Sequence, residues 1–453
     1  MCTLALHGSW GVGAHMASKS GGEPLPTRVR KQRRSISYAW WVLAASFLIM
    51  FFNAGAQFMI GVMVKPLTAE FGWSRGAVSA AISLNLVVYA VSLVITGRLY
   101  DRFGPKWLLL FSGALFSAGL ALMGVVHSHW QFLLFYGVMA AVGLAGISAP
   151  VFGSLLSRWF ERRRGTAISL GMAGISLGQF LLVPLYTSVL LDDGWRGASI
   201  WMGAVCFVVT AILVPVVIRG DPKHLGKLPY GRVESGSASG VTSALSAAAV
   251  GEARSLGLKE AMRTPSFWLF TVAMFVCGSG DYLVSVHLVP MATDLGISTS
   301  TAASMLALSG LLSLGGILLA GPASDLVGNR LPIAIAFGLR VLLFVMVLSF
   351  QTTASFWALA IGFGFTYLVT APLTATLLGK LYGFSNIGLL AGFITMIHHG
   401  GGGVGAYLGG AIFDATGTYT VVLALAAAAS AVALVCTLLI KETRHLPKGD
   451  RSV

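Results

Sequence analysis

The sequence predicts an all-α membrane protein with 12 transmembrane helices in two pseudo-symmetric six-helix bundles. Three observations lead to this fold class. Hydrophobic residues make up 56% of the 453 residues and the mean hydropathy is +0.82, which leaves too little polar surface to solvate a globule. Apolar runs long enough to cross a bilayer recur along the chain. The second half of the chain also repeats a pattern of the first half at a fixed spacing.

Twelve apolar runs are candidate spans, because a helix needs about 20 apolar residues to cross the hydrocarbon core. In chain order they are 39–64, 76–98, 107–127, 130–157, 166–190, 195–218, 266–290, 300–324, 332–350, 354–379, 387–412 and 418–440. The segment 219–265 contains a Ser, Gly and Ala stretch that cannot fold alone, so it is predicted to be a linker. The predicted bundles are therefore 39–218 and 266–440, with tails at 1–38 and 441–453.

The basic residues determine the predicted orientation. If both termini are cytoplasmic, 26 of the 30 Lys and Arg fall in cytoplasmic segments, Lys65, Arg75 and Arg196 in outer loops, and Arg340 within a span. The positive-inside rule then predicts that both termini are inside. The expected location is a bacterial-type inner (plasma) membrane, which the chain crosses several times. The net charge is +14, and the basic residues fall between the apolar runs, so lipid and not nucleic acid is the expected partner.

A shift of 224 residues aligns the two halves without a gap. The matched pairs are Pro66 with Pro290, Glu70 with Asp294, Gly72 with Gly296, Ser74 with Ser298, Gly97 with Gly321, Asp101 with Asp325 and Gly104 with Gly328. A shift of 222 pairs the Ala-Pro dipeptides at 149–150 and 371–372. Two like halves joined by a linker are the architecture of rocking transporters, whose substrate binds between the halves near the midplane.

The segment "GRLYDRFGPK", residues 97–106, resembles the loop motif between helices 2 and 3 of the major facilitator superfamily. Within that superfamily, "WFERRRGTAISLGMAGISLG" at 159–178 and "LKEAMRTPSFWLF" at 258–270 are similar to segments of the monocarboxylate transporters and bacterial oxalate/formate antiporters. The resemblance covers essentially the whole spanning region and implies transport of a small organic anion. Three features depart from the group. The start of the first span reads only "YAWW" where the group has an acidic-glycine motif, the span 300–324 has no basic residue, and His398 with His399 stand where the oxalate antiporters have a lysine.

The loop motif supplies candidate gating residues, namely Gly97, Asp101, Arg102, Gly104 and, in the repeat, Asp325. Gly97 permits close helix approach, Gly104 with the proline that follows it forces a turn, and Asp101 can meet a helix N-terminus or an arginine. Such a contact forms only when the cytoplasmic face is closed. The alternative, a basic membrane anchor, explains Arg102 but not Asp101.

Ionisable groups inside a span cost about 2.5 to 3.5 kcal/mol on insertion scales, so they are candidates for function. Asp281 lies about halfway along the seventh span and aligns with Gln57 in the first. We expect Asp281 to be the proton carrier, because burial disfavours the charged form of a carboxyl. A permanently paired structural acid is the alternative.

Polar side chains at helical spacing predict a substrate cavity between the halves. The candidate substrate-binding residues are Asn53, Gln57, Asn85, Tyr89, His398, His399 and Arg340. Adjacent helical positions differ by about 100°, so one of the two histidines is expected to face the cavity. Arg340 is the strong cation within a span, but it belongs to a peripheral helix in the superfamily's layout, so a structural role is the alternative.

No Walker sequence, serine elbow or HExxH motif occurs, so we expect neither enzymatic activity nor a cofactor. "HSH" at 127–129 lacks further ligands nearby, and no metal site is expected. The hypothesis is a monomeric, proton-coupled transporter of a small organic anion, in particular a monocarboxylate, that works by alternating access. The alternatives are an exporter of neutral or cationic amphiphiles and a non-transporting membrane receptor or sensor.

Overall fold

The computed structural model describes residues 37–161, 163–220, 222, 228–230, 256–383 and 386–442. The predicted tails fall outside the described residues except where they adjoin the helices, and so does most of the predicted linker. For Asp101, Arg164 and Asp325 the description covers the backbone alone.

Within the described residues, 11 helices are long and apolar enough to cross a membrane, and one of them, Gly165–Val217, is divided at Gly194 where φ is 77°. The twelve resulting helices confirm the predicted fold class. They are α1 Tyr38–Phe71, α2 Arg75–Tyr100, α3 Arg102–Met123, α4 His129–Trp159, α5 165–193, α6 195–217, α7 Pro265–Asp294, α8 Thr299–Ser324, α9 Arg330–Ser349, α10 Thr353–Tyr382, α11 Ile387–Thr416 and α12 Thr420–Leu439. The fifth span was expected to end near residue 190, and the helix continues to 193, directly before the glycine kink.

The repeat appears in the backbone at matching glycines. Gly72 and Gly296 have φ values of 66° and 81°, and Gly104 and Gly328 have values of 76° and 80°. An L-residue in the left-handed region is strained by roughly 1–2 kcal/mol, so glycine suits these four turns. Gly104 interrupts the first turn of α3 and Gly328 lies between α8 and α9, so the two halves share the turns that precede and follow α2 and α8.

The repeat also appears in the caps of α2 and α8. The Ser74 hydroxyl accepts a hydrogen bond from the N–H of Ala77 at 3.1 Å. The Ser298 hydroxyl accepts one from the N–H of Thr301 at 3.2 Å. Each serine satisfies one of the N–H groups that the first turn of a helix leaves free.

Both α4 and α10 are interrupted at the repeated Ala-Pro positions. In α4 the break lies between Gly146 and Ala149, and in α10 it lies between Tyr367 and Thr370. Proline has no N–H and disfavours helical backbone in the residue before it, which accounts for an interruption just ahead of each proline. The two interruptions occupy equivalent places in the two bundles.

The middle of α1 is irregular. It contains a π-helical turn, Met50–Ala54, followed by a 3-10 turn, Gln57–Met59. Close packing accompanies this irregularity, since a Cβ at Gly55 would lie 2.8 Å from the Cα of Gly178 on α5. Such turns leave backbone groups free at mid-membrane depth, which is tolerated where they are buried in protein or line a cavity.

Candidate functional site

A cavity of about 360 Å³ lies between the two bundles. Its walls come from α1, α2, α4 and α5 of the first bundle and from α7, α10 and α11 of the second. The polar or ionisable side chains that line it are Gln57, Tyr89, Ser176, Gln179, Asp281, Tyr282, Tyr367, Thr370, Thr374, Thr395, His398 and His399. Because both bundles contribute, a ligand here would contact both halves of the molecule.

Ion pairs join the bundles at the end of the molecule where α1 and α7 end and α2 and α8 begin, which we call the closed end. The guanidinium of Arg75 on α2 donates to both carboxylate oxygens of Asp294 on α7, at 2.6 and 2.8 Å. The ammonium of Lys65 on α1 lies 2.7 Å from the same carboxylate. Partly exposed ion pairs contribute roughly 0.2–1 kcal/mol each, so this contact is specific without being strong.

A second carboxylate reinforces the closed end from α11. Asp414 accepts hydrogen bonds from the backbone N–H groups of Arg75 and Gly76, at 2.9 and 2.6 Å. The guanidinium of Arg75 also lies 3.7 Å from the ring centroid of Phe413, in a cation–π contact. The start of α2 is therefore held by both α7 and α11 of the opposite bundle.

Contacts between the bundles continue from the closed end to the middle of the helices. The Ser83 hydroxyl on α2 donates to the carbonyl of Gly403 on α11 at 2.6 Å. The Gln179 amide on α5 donates to the carbonyl of Leu306 on α8 at 2.9 Å. In contrast, a Cβ at Gly97, near the other end, would meet no atom of the described residues within 4 Å, so the described part of the chain shows no close helix approach there.

The remaining gating candidates lie at the end opposite the closed end. Gly104 makes the predicted turn, and the guanidinium of Arg102 lies 5.3 Å from the ring centroid of Phe103. The side chains of Asp101 and Asp325 lie outside the described part of the chain. The gating roles of these residues remain predictions.

Three ionisable side chains meet at one wall of the cavity, and we call Asp281, Arg340 and His398 the polar pole. Arg340 Nη2 lies 2.8 Å from Asp281 Oδ1, and His398 Nε2 lies 3.1 Å from Asp281 Oδ2. The contact between Arg340 and Asp281 Oδ1 is close enough for an ion pair, although its geometry is not that of a well-aligned hydrogen bond. The Asp281 and Arg340 side chains are 3% and 1% exposed, whereas His398 is 18% exposed and is the most accessible member.

Arg340 on α9 is held behind Asp281 and does not line the cavity. Its Nε donates to the Thr366 hydroxyl at 3.2 Å, and its Nη2 donates to the Thr366 carbonyl at 3.1 Å. Its Nη1 donates to the Cys277 carbonyl at 3.4 Å, and the guanidinium lies 4.5 Å from the ring centroid of Phe363. With this burial, Arg340 is the ionic partner of Asp281, not a group that a ligand in the cavity touches.

His398 and His399 on α11 both line the cavity, so the expectation that only one would face it was wrong. The cavity wraps far enough around α11 to reach two adjacent positions. His399 Nδ1 lies 2.8 Å from the Thr395 carbonyl, so this nitrogen carries the hydrogen. The His399 ring also contacts Tyr89 of the first bundle and Tyr282 of the second, at centroid distances of 4.9 and 6.0 Å.

The three predicted amides have different surroundings. Gln57 lines the cavity, as predicted from its spacing. Asn85 donates to the Tyr136 carbonyl at 2.7 Å and borders a small adjoining void of about 30 Å³, which Gln57 also lines. Asn53 faces away from the cavity, because its amide donates to the Thr210 hydroxyl on α6 at 3.1 Å within the first bundle.

Sequence reasoning missed many of the cavity residues, among them Phe58, Gln179, Tyr282 and Tyr367. Gln179 could have been found, because a glutamine in an apolar run is costly to leave without a partner. The aromatic residues carry no comparable signal. Aromatic side chains are common on lipid-facing, buried and cavity-lining surfaces alike, so composition does not separate them.

Cys277, Asp281 and His398 could in principle share a metal ion, because their ligand atoms lie within 4.8 Å of one another. Hydrogen-bond contacts already account for this grouping, since the Cys277 thiol lies 3.6 Å from Asp281 Oδ2. Arg340 also places a fixed positive charge beside the carboxylate, which opposes a second cation. The ion pair and the hydrogen-bond contacts therefore account for the close approach of these three side chains.

Comparisons with known proteins agree with this architecture. The human protein named monocarboxylate transporter 11 is 28% identical over 395 residues, which cover 84% of this chain and 79% of that protein. The oxalate:formate antiporter of Oxalobacter formigenes is 28% identical over 373 residues, 81% of this chain and 84% of that protein. These relatives confirm the resemblance drawn from the sequence motifs.

Solved structures show the same fold at low sequence identity. A bacterial homologue of the human lysosomal transporter Spinster, in an inward-facing and occupied conformation, has a TM-score of 0.67 and 16% identity, covering 90% of this chain and 95% of that chain. A D-xylose-proton symporter also has a TM-score of 0.67 and 16% identity, over 91% and 99% of the two chains. The sequence profile of the Major Facilitator Superfamily matches residues 46–288 and 271–453. The chain is therefore a multi-pass membrane protein that belongs to the Major Facilitator Superfamily of transporters.

Proposed function

We propose that this protein is a proton-coupled transporter of a small organic anion, carrying a monocarboxylate by alternating access. The observation that carries the proposal is the polar pole, which sets Asp281, Arg340 and His398 beside a cavity between the two bundles. The named relatives include a monocarboxylate transporter and an oxalate:formate antiporter, which supports an anionic substrate.

The charges of the polar pole support coupling between a proton and an anion. Ionised Asp281 and Arg340 cancel, so the pole is neutral when His398 is neutral. One added proton, on His398 or on Asp281, gives the pole a net charge of +1. A carboxylate that binds beside it restores neutrality, and a neutral loaded site is far less costly to move across the membrane interior than a charged one.

A bound anion can touch only side chains that are exposed to the cavity. His398 and Gln57 line the cavity, whereas Arg340 is enclosed behind Asp281. We therefore assign the direct contact with the carboxylate to His398, with His399 and Gln57 beside it. Asp281 would hold the His398 ring and take part in proton loading, and Arg340 would keep the buried carboxylate paired.

The closed end and the cavity support alternating access. The positive-inside rule would put the closed end outside, so this structure would be an inward-open state with both termini cytoplasmic. In the opposite state we expect the ion pairs of Asp294 to separate and the loop motifs, with Gly97, Asp101 and Asp325, to close the cytoplasmic end. A ligand shifts this equilibrium only through different affinity for the two states.

The test is uptake into vesicles containing the purified protein, with a panel of labelled carboxylates and with or without an inward proton gradient. We expect at least one monocarboxylate to accumulate only with the gradient, and empty vesicles to show no accumulation. Uptake that ignores the gradient would contradict proton coupling.

Export of amphiphilic compounds is the second candidate, favoured by the acid in the cavity and by the apolar residues that surround it. The ion pair between Asp281 and Arg340 counts against a cationic substrate, because the arginine cancels the negative charge of Asp281 that would attract a cation. The same vesicles separate the two functions. Movement of lipophilic cations with no movement of any carboxylate would favour the exporter.

A further inference from the structure

The cavity has one polar pole and otherwise a largely apolar lining, which bears on the size and charge of its substrate. Near the midplane the wall is aromatic, and further toward the open side it is formed by residues such as Leu93, Met172 and Ile175. A ligand whose carboxylate meets His398 must therefore place the rest of its atoms against apolar side chains.

The described residues that line the cavity include no lysine or arginine. Lys65 and Arg75 are engaged with Asp294 at the closed end, and Arg340 is enclosed behind Asp281. A second carboxylate on the substrate would have no cation to meet. Burying an unpaired charge is strongly unfavourable, so this arrangement selects against dicarboxylates.

Aromatic rings from both bundles line the same cavity as the polar pole and contact one another. Phe58 on α1 meets Tyr367 on α10 edge to face, with centroids 6.2 Å apart. Tyr89 on α2 and Tyr282 on α7 approach the His399 ring from the two bundles. Rings in such an arrangement offer faces and edges that can pack against a flat or branched apolar tail.

Resting on the proposed function, we propose that the substrate is a monocarboxylate with a bulky apolar or aromatic tail. A two- or three-carbon acid or a dicarboxylate would suit the site less well. The cavity volume of about 360 Å³ leaves room for such a tail. It also falls within the range of about 300–1,000 Å³ typical of sites for larger organic ligands. The carboxylate would lie at His398, and the tail would lie among Phe58, Tyr89 and Tyr367.

The experiment uses 2-oxo acids, which stay ionised at neutral pH and so leak little through lipid. Vesicles containing the full chain exchange labelled phenylpyruvate, and unlabelled pyruvate, 2-oxobutanoate, 2-oxohexanoate and 2-oxoadipate compete. We expect the concentration for half-inhibition to fall roughly fourfold with each added methylene. 2-Oxohexanoate and 2-oxoadipate both have six carbons, so comparing them measures the effect of the second carboxylate. We expect 2-oxoadipate to compete at least tenfold less well than 2-oxohexanoate.

Substitutions test where the tail lies. Phe58→Ala should weaken competition by 2-oxohexanoate about tenfold while changing competition by pyruvate less than twofold. Phe111→Ala is the matched control, because that ring is 67% exposed and does not line the cavity. If Phe58→Ala does not fold, Tyr367→Leu serves the same purpose.

The outcomes separate this inference from the function on which it rests. Exchange in which pyruvate or 2-oxoadipate competes better than 2-oxohexanoate would overturn the inference and leave carboxylate transport standing. If no 2-oxo acid and no carboxylate of the uptake panel is transported, by protein that a thermal unfolding transition shows to be folded, both proposals are overturned.

Discussion

Helices α1 and α7 occupy equivalent places in the two repeats, yet their chemistry differs at mid-membrane depth. Gln57 on α1 aligns with Asp281 on α7, so an amide in one half corresponds to a paired carboxylate in the other. Both side chains line the same cavity. The two halves therefore share the position of a polar group at this depth. The polar group is an uncharged amide in the first bundle and a member of an ion pair in the second.

The ends of the same two helices show the reverse relation. Glu70 and Asp294 are both acidic, but their partners differ. Glu70 pairs with Arg196 at 2.7 Å inside its own bundle, whereas Asp294 pairs with Lys65 and Arg75 across the interface. The positions that align with Lys65 and Arg75 in the second half are uncharged, so Glu70 has no equivalent partners there. One carboxylate stabilises a bundle and the other joins two.

The largest effect is expected from removing the charge that distinguishes α7 from α1. We expect Asp281→Asn to abolish proton-driven accumulation while exchange without a gradient continues, because the pole can then no longer alternate between neutral and +1. Gradient-driven uptake and counterflow in the same vesicles measure both. Gln57→Glu, at the aligned position, is the matched control and should not restore accumulation to the Asp281→Asn protein. Full accumulation by Asp281→Asn would remove this carboxylate from the proton pathway.

The second prediction concerns the buried ion pair. Arg340→Met should lower the free energy of unfolding by about 3–5 kcal/mol, because it leaves the Asp281 charge buried without its partner. Adding Asp281→Asn should recover much of that loss, since the double variant has no unpaired charge. Thermal unfolding in detergent compares the variants, with Arg263→Met at an exposed position as the control. Equal loss in the single and double variants would show that the pair is not coupled.

The third prediction uses the difference between Asp294 and Glu70. Asp294→Asn should shift the population toward opening of the closed end about tenfold, which corresponds to losing roughly 1.4 kcal/mol of ion-pair contacts. Glu70→Gln should leave the population unchanged, because Glu70 does not bridge the bundles. Labelling of a cysteine introduced at Ser83 by a membrane-impermeant maleimide, in a background without native cysteines, reports the opening. Equal labelling rates in the two variants would contradict the assignment.

The smallest effect tests whether the repeat is energetically as well as geometrically symmetric. Ser74→Ala and Ser298→Ala each remove one helix cap and should each cost about 1 kcal/mol of unfolding free energy. Values that agree within a few tenths of a kcal/mol would sharpen the comparison. A negligible cost at either site would show that this cap does not contribute.

The fold could be predicted because the membrane imposes it. Spans need about 20 apolar residues, and their backbone groups must be satisfied internally, so hydropathy and spacing located the helices. The turn at Gly104 was predicted from the loop motif, and the repeat aligned Gly104 with Gly328 and Ser74 with Ser298, which the structure shows to be matching turns and caps. The end of the fifth span was located less closely, because one glycine with positive φ separates the two helices and hydropathy does not mark it.

The site was less predictable, because it depends on which face of each helix turns inward. Lipid and a protein core are both apolar, so composition does not distinguish a cavity wall from an outer surface. Asn53 therefore seemed as good a candidate as Gln57, although it faces α6. The pairing of Asp281 with Arg340 joins residues far apart in the chain, and no local pattern signals it.

The carboxylate of Asp414 also has a consequence for how easily the bundles separate. It caps the first turn of α2, where backbone N–H groups and the helix dipole attract negative charge. If the bundles part at this end, as the proposed alternating access requires, water can hydrate both the freed N–H groups and the freed carboxylate, so no polar group is stranded. The contact between Asp414 and α2 can therefore be specific in its geometry and still short-lived, which suits the proposed transport cycle.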